Sequence, residues 1–175
     1  MFQNQLLLNN FLRLHKPQIY LRYWLFILIF LIINPSLADE KGLVELDNLQ
    51  ALQADMQTND KPLMLVFRAS YCRYCRQLEK DELLPLLQDT TVRDRVIIRT
   101  VTLDAEHNLR DWQGAELSPK QLGKQYQVSI TPTLVFLNSQ GKEVVEPIKG
   151  YNGSEFFGAY LENAIVQAQQ AVKQP

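Results

Sequence analysis

The sequence predicts an α/β domain with a central mixed β-sheet flanked by helices on both faces. Three observations predict it. Leu63 to Phe67 is apolar without alternation, the pattern of a strand covered on both faces. A helix-patterned stretch and a second strand, Val96 to Leu103, follow it, and strand, helix, strand makes a right-handed crossover unit with parallel strands. Two later strands meet across the turn Asn138-Ser139-Gln140-Gly141, a hairpin and therefore antiparallel.

The chain has 175 residues, 46% of them hydrophobic and 21% charged, which is globular composition for one domain. With 18 Lys and Arg against 19 Asp and Glu there is no basic footprint for nucleic acid, which is excluded as a partner. Residues 1–38 stand apart. Arg13, Lys16 and Arg22, with no acid among them, precede ten apolar residues from Trp24 to Ile33; Asn34-Pro35 then break the run, and Ser36-Leu37-Ala38 supply the small residues of a signal-peptidase site. Cleavage before Asp39 and a periplasmic or otherwise exported product are expected. The alternative is an uncleaved anchor, the only route by which a membrane enters, although a bilayer span needs about 20 apolar residues. Residues 39–175 then form the mature domain, mildly acidic once those three bases are removed. It is large enough to fold without metal or disulfide support.

Within that domain Gly42 to Leu46 reads as a short edge strand, followed by a helix capped by Asp47 or Asn48 with Leu49, Leu52 and Met56 at helical spacing. Asn59-Asp60-Lys61-Pro62 makes a turn into the first central strand. After Ala69-Ser70-Tyr71-Cys72-Arg73-Tyr74-Cys75 a helix continues through Leu78, Leu83, Leu86 and Leu87, bent or restarted at Pro85. The second strand has Ile97, Val101 and Leu103 on one face and Ile98 on the other. Asp104 to Gly114 reads as a loop with one helical turn. Ser118-Pro119 opens the next helix as cap and first residue, turning Leu122 and Tyr126 inward. Thr131-Pro132-Thr133 precedes the strand Leu134 to Leu137, and Glu143 to Glu146 is the outer strand of the hairpin, where Pro147 is tolerated. Ser154 is the expected cap of a last helix that docks Phe157, Leu161, Ile165, Ala168 and Val172 on the sheet.

Both cysteines of the chain lie three positions apart, at a strand-to-helix junction. A two-residue loop is a poor staple, because closing so short a loop removes little entropy from the unfolded chain. The pair therefore reads as one that is oxidised and reduced. Thiol–disulfide exchange needs a thiolate that attacks and a second thiol that releases the mixed disulfide. With Cys72 as first residue of the helix, its sulfur faces unpaired amides and the positive end of the helix dipole, so Cys72 is the expected nucleophile and Cys75, buried one turn in, the resolving thiol. Arg68, Arg73 and Arg76 add positive charge, which lowers a thiol pKa further. Glu79, one turn beyond Cys75, is a candidate proton relay, against the simpler reading of a solvated helix glutamate.

Other chemistries fit less well. A zinc site wants four ligands and there is no second cysteine pair, and haem attachment needs His where Arg76 stands. No metal and no cofactor are expected. The alternative from a different class is a copper-binding metallochaperone using Cys72, Cys75 and His107, since soft thiolates favour Cu(I), although no Met lies beside the cysteines.

The strand Leu63 to Phe67, the segment Ala69 to Cys75, then Ile130-Thr131-Pro132-Thr133-Leu134-Val135-Phe136 and Lys149-Gly150 together resemble the thioredoxin superfamily over roughly Leu43 to Val172. The resemblance implies the thioredoxin fold, a cis peptide between Thr131 and Pro132 against the active site, and the same roles for Cys72 and Cys75. It also implies that Tyr71, Arg73, Tyr74, Thr131 and Pro132 contact the substrate. Where thioredoxins proper have Trp before the first cysteine and Gly-Pro between the two, this chain has Tyr71 and Arg73-Tyr74. The buried acid six positions before the nucleophile is replaced by Val66. Tyr74 and Thr131 look more like exported disulfide isomerases and periplasmic reducing proteins. The longer interval from Cys72 to Pro132 puts an insertion around Asp104 to Leu117, with His107 and Trp112 in it as groove-lining or core-covering residues. The expected protein is an exported thiol–disulfide oxidoreductase, a monomer, whose partners are protein thiols or disulfides and an upstream redox protein.

Overall fold

Strand β1 (Leu63–Arg68) is buried along nearly its whole length, and the domain is assembled on its two faces. A computed structural model describes residues 42–174; the segment read as a signal, 1–38, lies outside them. β1 pairs in parallel with β2 (Ile97–Thr102) and antiparallel with β5 (Thr133–Leu137), which pairs antiparallel with β6 (Glu143–Lys149). The order is β2-β1-β5-β6, a mixed sheet.

Side chains alternate across a strand, so β1 feeds two cores. Leu63, Leu65 and Phe67 pack with Ile97, Val101, Leu49 and Met56 of helix α1 (Leu49–Asn59) and Leu122 of α5 (Pro119–Gln125). Met64 and Val66 pack on the opposite face with Ile98, Leu78 of α2 (Arg73–Leu78) and Leu161, Ile165 and Ala168 of α6 (Phe157–Lys173). Helices thus cover both faces. Each such fully buried aliphatic side chain contributes about 1.5–3 kcal/mol over its exposed state.

Several local expectations hold in detail. Asn48 accepts the Ala51 N–H at 3.0 Å and so caps α1. Ser118 and Gln121 form a reciprocal capping box with Pro119 at the first position of α5. Pro147 sits in β6, an edge strand. Between α2 and α3 (Leu84–Gln88) the helix widens into one π turn, Glu79–Leu83, where the Leu84 N–H reaches back to the Glu79 carbonyl. Pro85 follows at once, and the extra residue shifts the ladder where proline lacks a donor. A short α4 (Thr90–Arg93) leads into β2.

Three expectations are corrected. Gly42 to Leu46 is no strand: only Glu45 bridges to Thr100, and its carboxylate takes the Thr102 N–H at 2.6 Å, ending the ladder after one step. The stretch from Asp104 carries no helical turn. It holds a two-stranded hairpin, β3 (Leu109–Arg110) with β4 (Glu116–Leu117), whose turn is tied by the Asp111 carboxylate to the amides of Gln113 and Ala115. Ser154 does not cap α6, which begins without a side-chain cap after Phe156. The docking of Phe157, edge-on to Tyr151 at 4.9 Å, sets the start of that helix instead.

Candidate active site

β1 carries the chain to the cysteines, and the turn after it is held from both sides. The Ser70 N–H and hydroxyl both donate to Asp104, beyond the end of β2. These two hydrogen bonds, hydroxyl first, hold the Asp104 carboxyl below the usual carboxylate range. The Arg76 guanidinium donates to the Ser70 carbonyl at 3.1 Å, and the Cys72 N–H to the Ala69 carbonyl at 3.0 Å.

Cys72 is the N-cap of α2, one position earlier than the first-residue placement expected, with extended backbone (φ −73°, ψ 108°). Its Sγ accepts the Cys75 N–H at 3.1 Å. Cys72 and Cys75 form a disulfide with Cα atoms 5.3 Å apart, and both are buried. The Thr131 carbonyl oxygen lies 3.6 Å from Cys72 Sγ, 59 residues away in sequence, and the Thr131–Pro132 peptide is cis. That loop is fixed by the Gly150 N–H on the Pro132 carbonyl (2.8 Å) and by the Thr133 hydroxyl on the Ile130 carbonyl (2.8 Å). Cys72, Cys75, Thr131 and Pro132 are therefore brought together.

The other expected site residues divide. Tyr71 and Tyr74 are exposed beside the disulfide, and the Arg73 guanidinium sits 5.4 Å from the centre of the Tyr74 ring. Arg68 is ion-paired with Glu79 at 3.0 Å, so its charge is matched by a carboxylate rather than left to the cysteines. Val66 is buried among Met64 and Leu78. His107 is exposed in the loop before β3, and no group of three His, Cys, Asp or Glu side chains able to hold a metal occurs among the described residues. Trp112 covers the core edge: its Nε1–H donates to the Tyr126 hydroxyl at 3.0 Å, and that hydroxyl donates to the Gly141 carbonyl at 3.1 Å. Gly141 has φ +77°, and a Cβ there would run into the Trp112 indole.

Sequence reasoning missed Asp104 as the anchor of Ser70, and the Arg68–Glu79 pair. A charge pattern at spacing 11 across a strand–helix joint carries no periodic signal.

A disulfide spanning one helical turn, at the start of a helix that follows a central strand and facing the Thr131 carbonyl, defines a thioredoxin-like thiol–disulfide oxidoreductase. The chain belongs to the thioredoxin-like domain family, whose sequence model matches residues 49–165. It is 30% identical over 117 residues to the thiol:disulfide interchange protein DsbD of Pectobacterium atrosepticum, and over 118 residues to that of Yersinia pestis, in each case 66% of this chain and 18% of the relative. The match thus spans less than a fifth of those proteins. Among solved structures it superposes on a DsbH oxidoreductase (TM-score 0.51, 17% identity, 82% of this chain and 94% of that one). It also superposes on Fasciola hepatica thioredoxin (TM-score 0.50, 20% identity, 72% and 99%). These likenesses concern the fold.

Proposed function

We propose that this chain is an exported oxidoreductase that exchanges disulfides with protein thiols, with Cys72 attacking and Cys75 resolving. The observation that carries the assignment is the Cys75 N–H aimed at Cys72 Sγ from 3.1 Å: in the reduced protein the same amide, at the positive end of α2, faces a thiolate. Cys72 thiolate attacks a partner disulfide, forming a mixed disulfide and expelling one partner sulfur as thiolate. Cys75 then loses its proton and attacks Cys72 Sγ, closing the internal disulfide and releasing the second partner sulfur. Two thiols of this protein are oxidised and one partner disulfide is reduced; the reverse sequence oxidises a partner dithiol.

Glu79, on the same helical face four residues after Cys75, receives the Cys75 proton with Arg68 as its counter-ion. Tyr71, Arg73, Tyr74, Thr131 and Pro132 form the surface on which the partner lies. The protein acts as a monomer outside the cytoplasm, freed of residues 1–38, with a further redox protein restoring its cysteines. The reading is tested by mixing reduced protein with 5,5′-dithiobis(2-nitrobenzoate) and following thionitrobenzoate release. Release that disappears in Cys72→Ser supports it, and release that persists there contradicts it. An N-terminus at Asp39 in the exported product supports cleavage; retention of Met1 contradicts it.

A further inference from the structure

The surface around the cysteines is uneven in both polarity and charge. Among the described residues the large apolar side chains most open to solvent are Tyr71, Tyr74, Ile130, Phe156 and Tyr160. Single exposed apolar groups need no explanation, but Tyr74, Ile130 and Tyr160 come from separate stretches of chain and line one cleft. A cleft of about 530 Å³ opens beside Thr131 between Tyr74, Ile130, Lys149 and Tyr160. It shares Phe157 and Tyr160 with an adjoining hollow of about 420 Å³ that Phe156 also lines.

Next to Tyr71 lies a different cleft, of about 370 Å³. Leu103, Gly123 and Val128 give it a buried to half-buried floor, and Lys120 and Lys124, both exposed, stand on its rim. Neither lysine has a carboxylate partner among the described residues. The acid in this cleft, Asp104, is held by the Ser70 N–H and hydroxyl. The cleft beside Tyr71 thus presents two lysines against the single Asp104 carboxylate, while the cleft beside Tyr74 is aromatic with one lysine, Lys149, in its lining.

We propose that the protein segment whose cysteine exchanges with Cys72 lies extended across the site. It seats an aromatic or large aliphatic side chain between Tyr74, Ile130 and Tyr160 on one side of its cysteine, and sets acidic side chains against Lys120 and Lys124 on the other. This deepens the proposed function and rests on it. Apolar contact supplies affinity and the lysines supply selection, because like-charged segments are repelled where acidic ones are drawn in.

The test uses cysteine peptides carrying thionitrobenzoate in disulfide linkage, so that two electrons from the protein dithiol release peptide thiol and thionitrobenzoate and leave the protein disulfide. One peptide pair places Phe on one side of the cysteine and two Glu on the other, in both orders; control peptides carry Ala for Phe or two Lys for the two Glu. At low salt one of the Phe/Glu peptides is expected to react at least tenfold faster than either control, with the Glu-over-Lys preference collapsing in high salt. Combined Lys120→Glu and Lys124→Glu is expected to reverse the Glu-over-Lys ratio, and Tyr160→Ala to abolish the Phe-over-Ala ratio. Equal rates for all peptides with wild type, or ratios unmoved by these variants, while 5,5′-dithiobis(2-nitrobenzoate) is still reduced, would overturn the proposal alone. Failure to reduce that small disulfide as well would overturn the proposed function with it.

Discussion

Arg68 sets two opposing electrostatic effects against each other at the base of the active site. Its guanidinium meets Glu79 at 3.0 Å, with the two side chains 28% and 31% exposed. Its Nε is buried and has no hydrogen-bond partner among the described residues. An ion pair that open to water contributes about 0.2–1 kcal/mol, whereas a buried donor left unsatisfied costs about 1–3 kcal/mol. Arg68→Met keeps most of the aliphatic stem and removes both effects, so the larger one decides the sign: a net stabilisation of about 1–2 kcal/mol. Glu79, open enough to be hydrated, adds little when left alone. The Asp104 carboxyl loses only the smallest of the causes that lower its pKa, the Ser70 hydroxyl being the largest. In urea denaturation of the oxidised protein the midpoint should rise at constant slope, and melting should shift upward by about 2–8 °C at roughly 2–4 °C per kcal/mol for a domain of this size. A loss of more than about 1 kcal/mol would refute the reasoning, since the pair would then outweigh the buried donor. Stability gained while release of the mixed disulfide slows would mark Arg68 as retained for Glu79 and the proton rather than for the fold.

Arg73→Gly should raise the Cys72 thiol pKa and make the Cys72–Cys75 couple more reducing, because a nearby cation stabilises the thiolate that only the reduced form holds; thiolate absorbance against pH reads this, and coincident curves would assign Arg73 to partner contact. Tyr126→Phe should cost about 1–3 kcal/mol, by leaving the Trp112 Nε1–H and the Gly141 carbonyl without the hydroxyl that joins them; chemical denaturation followed by tryptophan fluorescence measures it. Tyr151 is held neutral up to about 12, first by burial and then by the nearby charges of Glu82 and Asp81. Its folded pKa lies above the ordinary value of 10, so the stability it contributes is intact below pH 10 and is lost as pH rises towards 12. Ultraviolet titration of the wild type and of Tyr151→Phe should differ by one tyrosinate forming there.

What was legible in the sequence was local. Val66 and Phe67, then Cys72 and Cys75, announce a buried strand, a junction and a redox pair within a dozen residues, and Ser118-Pro119 states a helix start outright. Ser154 misled because a capping residue type is no cap when the turn runs on through Phe156 and the packing of Phe157 on Tyr151 decides where the helix begins. β3 and β4, two residues each, are too short for alternation to register, and their turn rests on the Asp111 side chain. The approach of Thr131 to Cys72 spans 59 residues, so no periodic pattern encodes it and only the family resemblance anticipated it. The aromatic cleft was invisible for the same reason: Tyr74, Ile130 and Tyr160 meet only after β5, β6 and α6 have folded around the site.

The division of labour between the two cysteines is the central claim, and trapping tests it most directly. Reduced Cys75→Ser, incubated with a disulfide-bearing protein and digested for mass spectrometry, should accumulate a mixed disulfide at Cys72, because attack survives and resolution does not. Multiple turnover by Cys75→Ser at the wild-type rate, or Cys72→Ser forming the stable adduct through Cys75 instead, would contradict it.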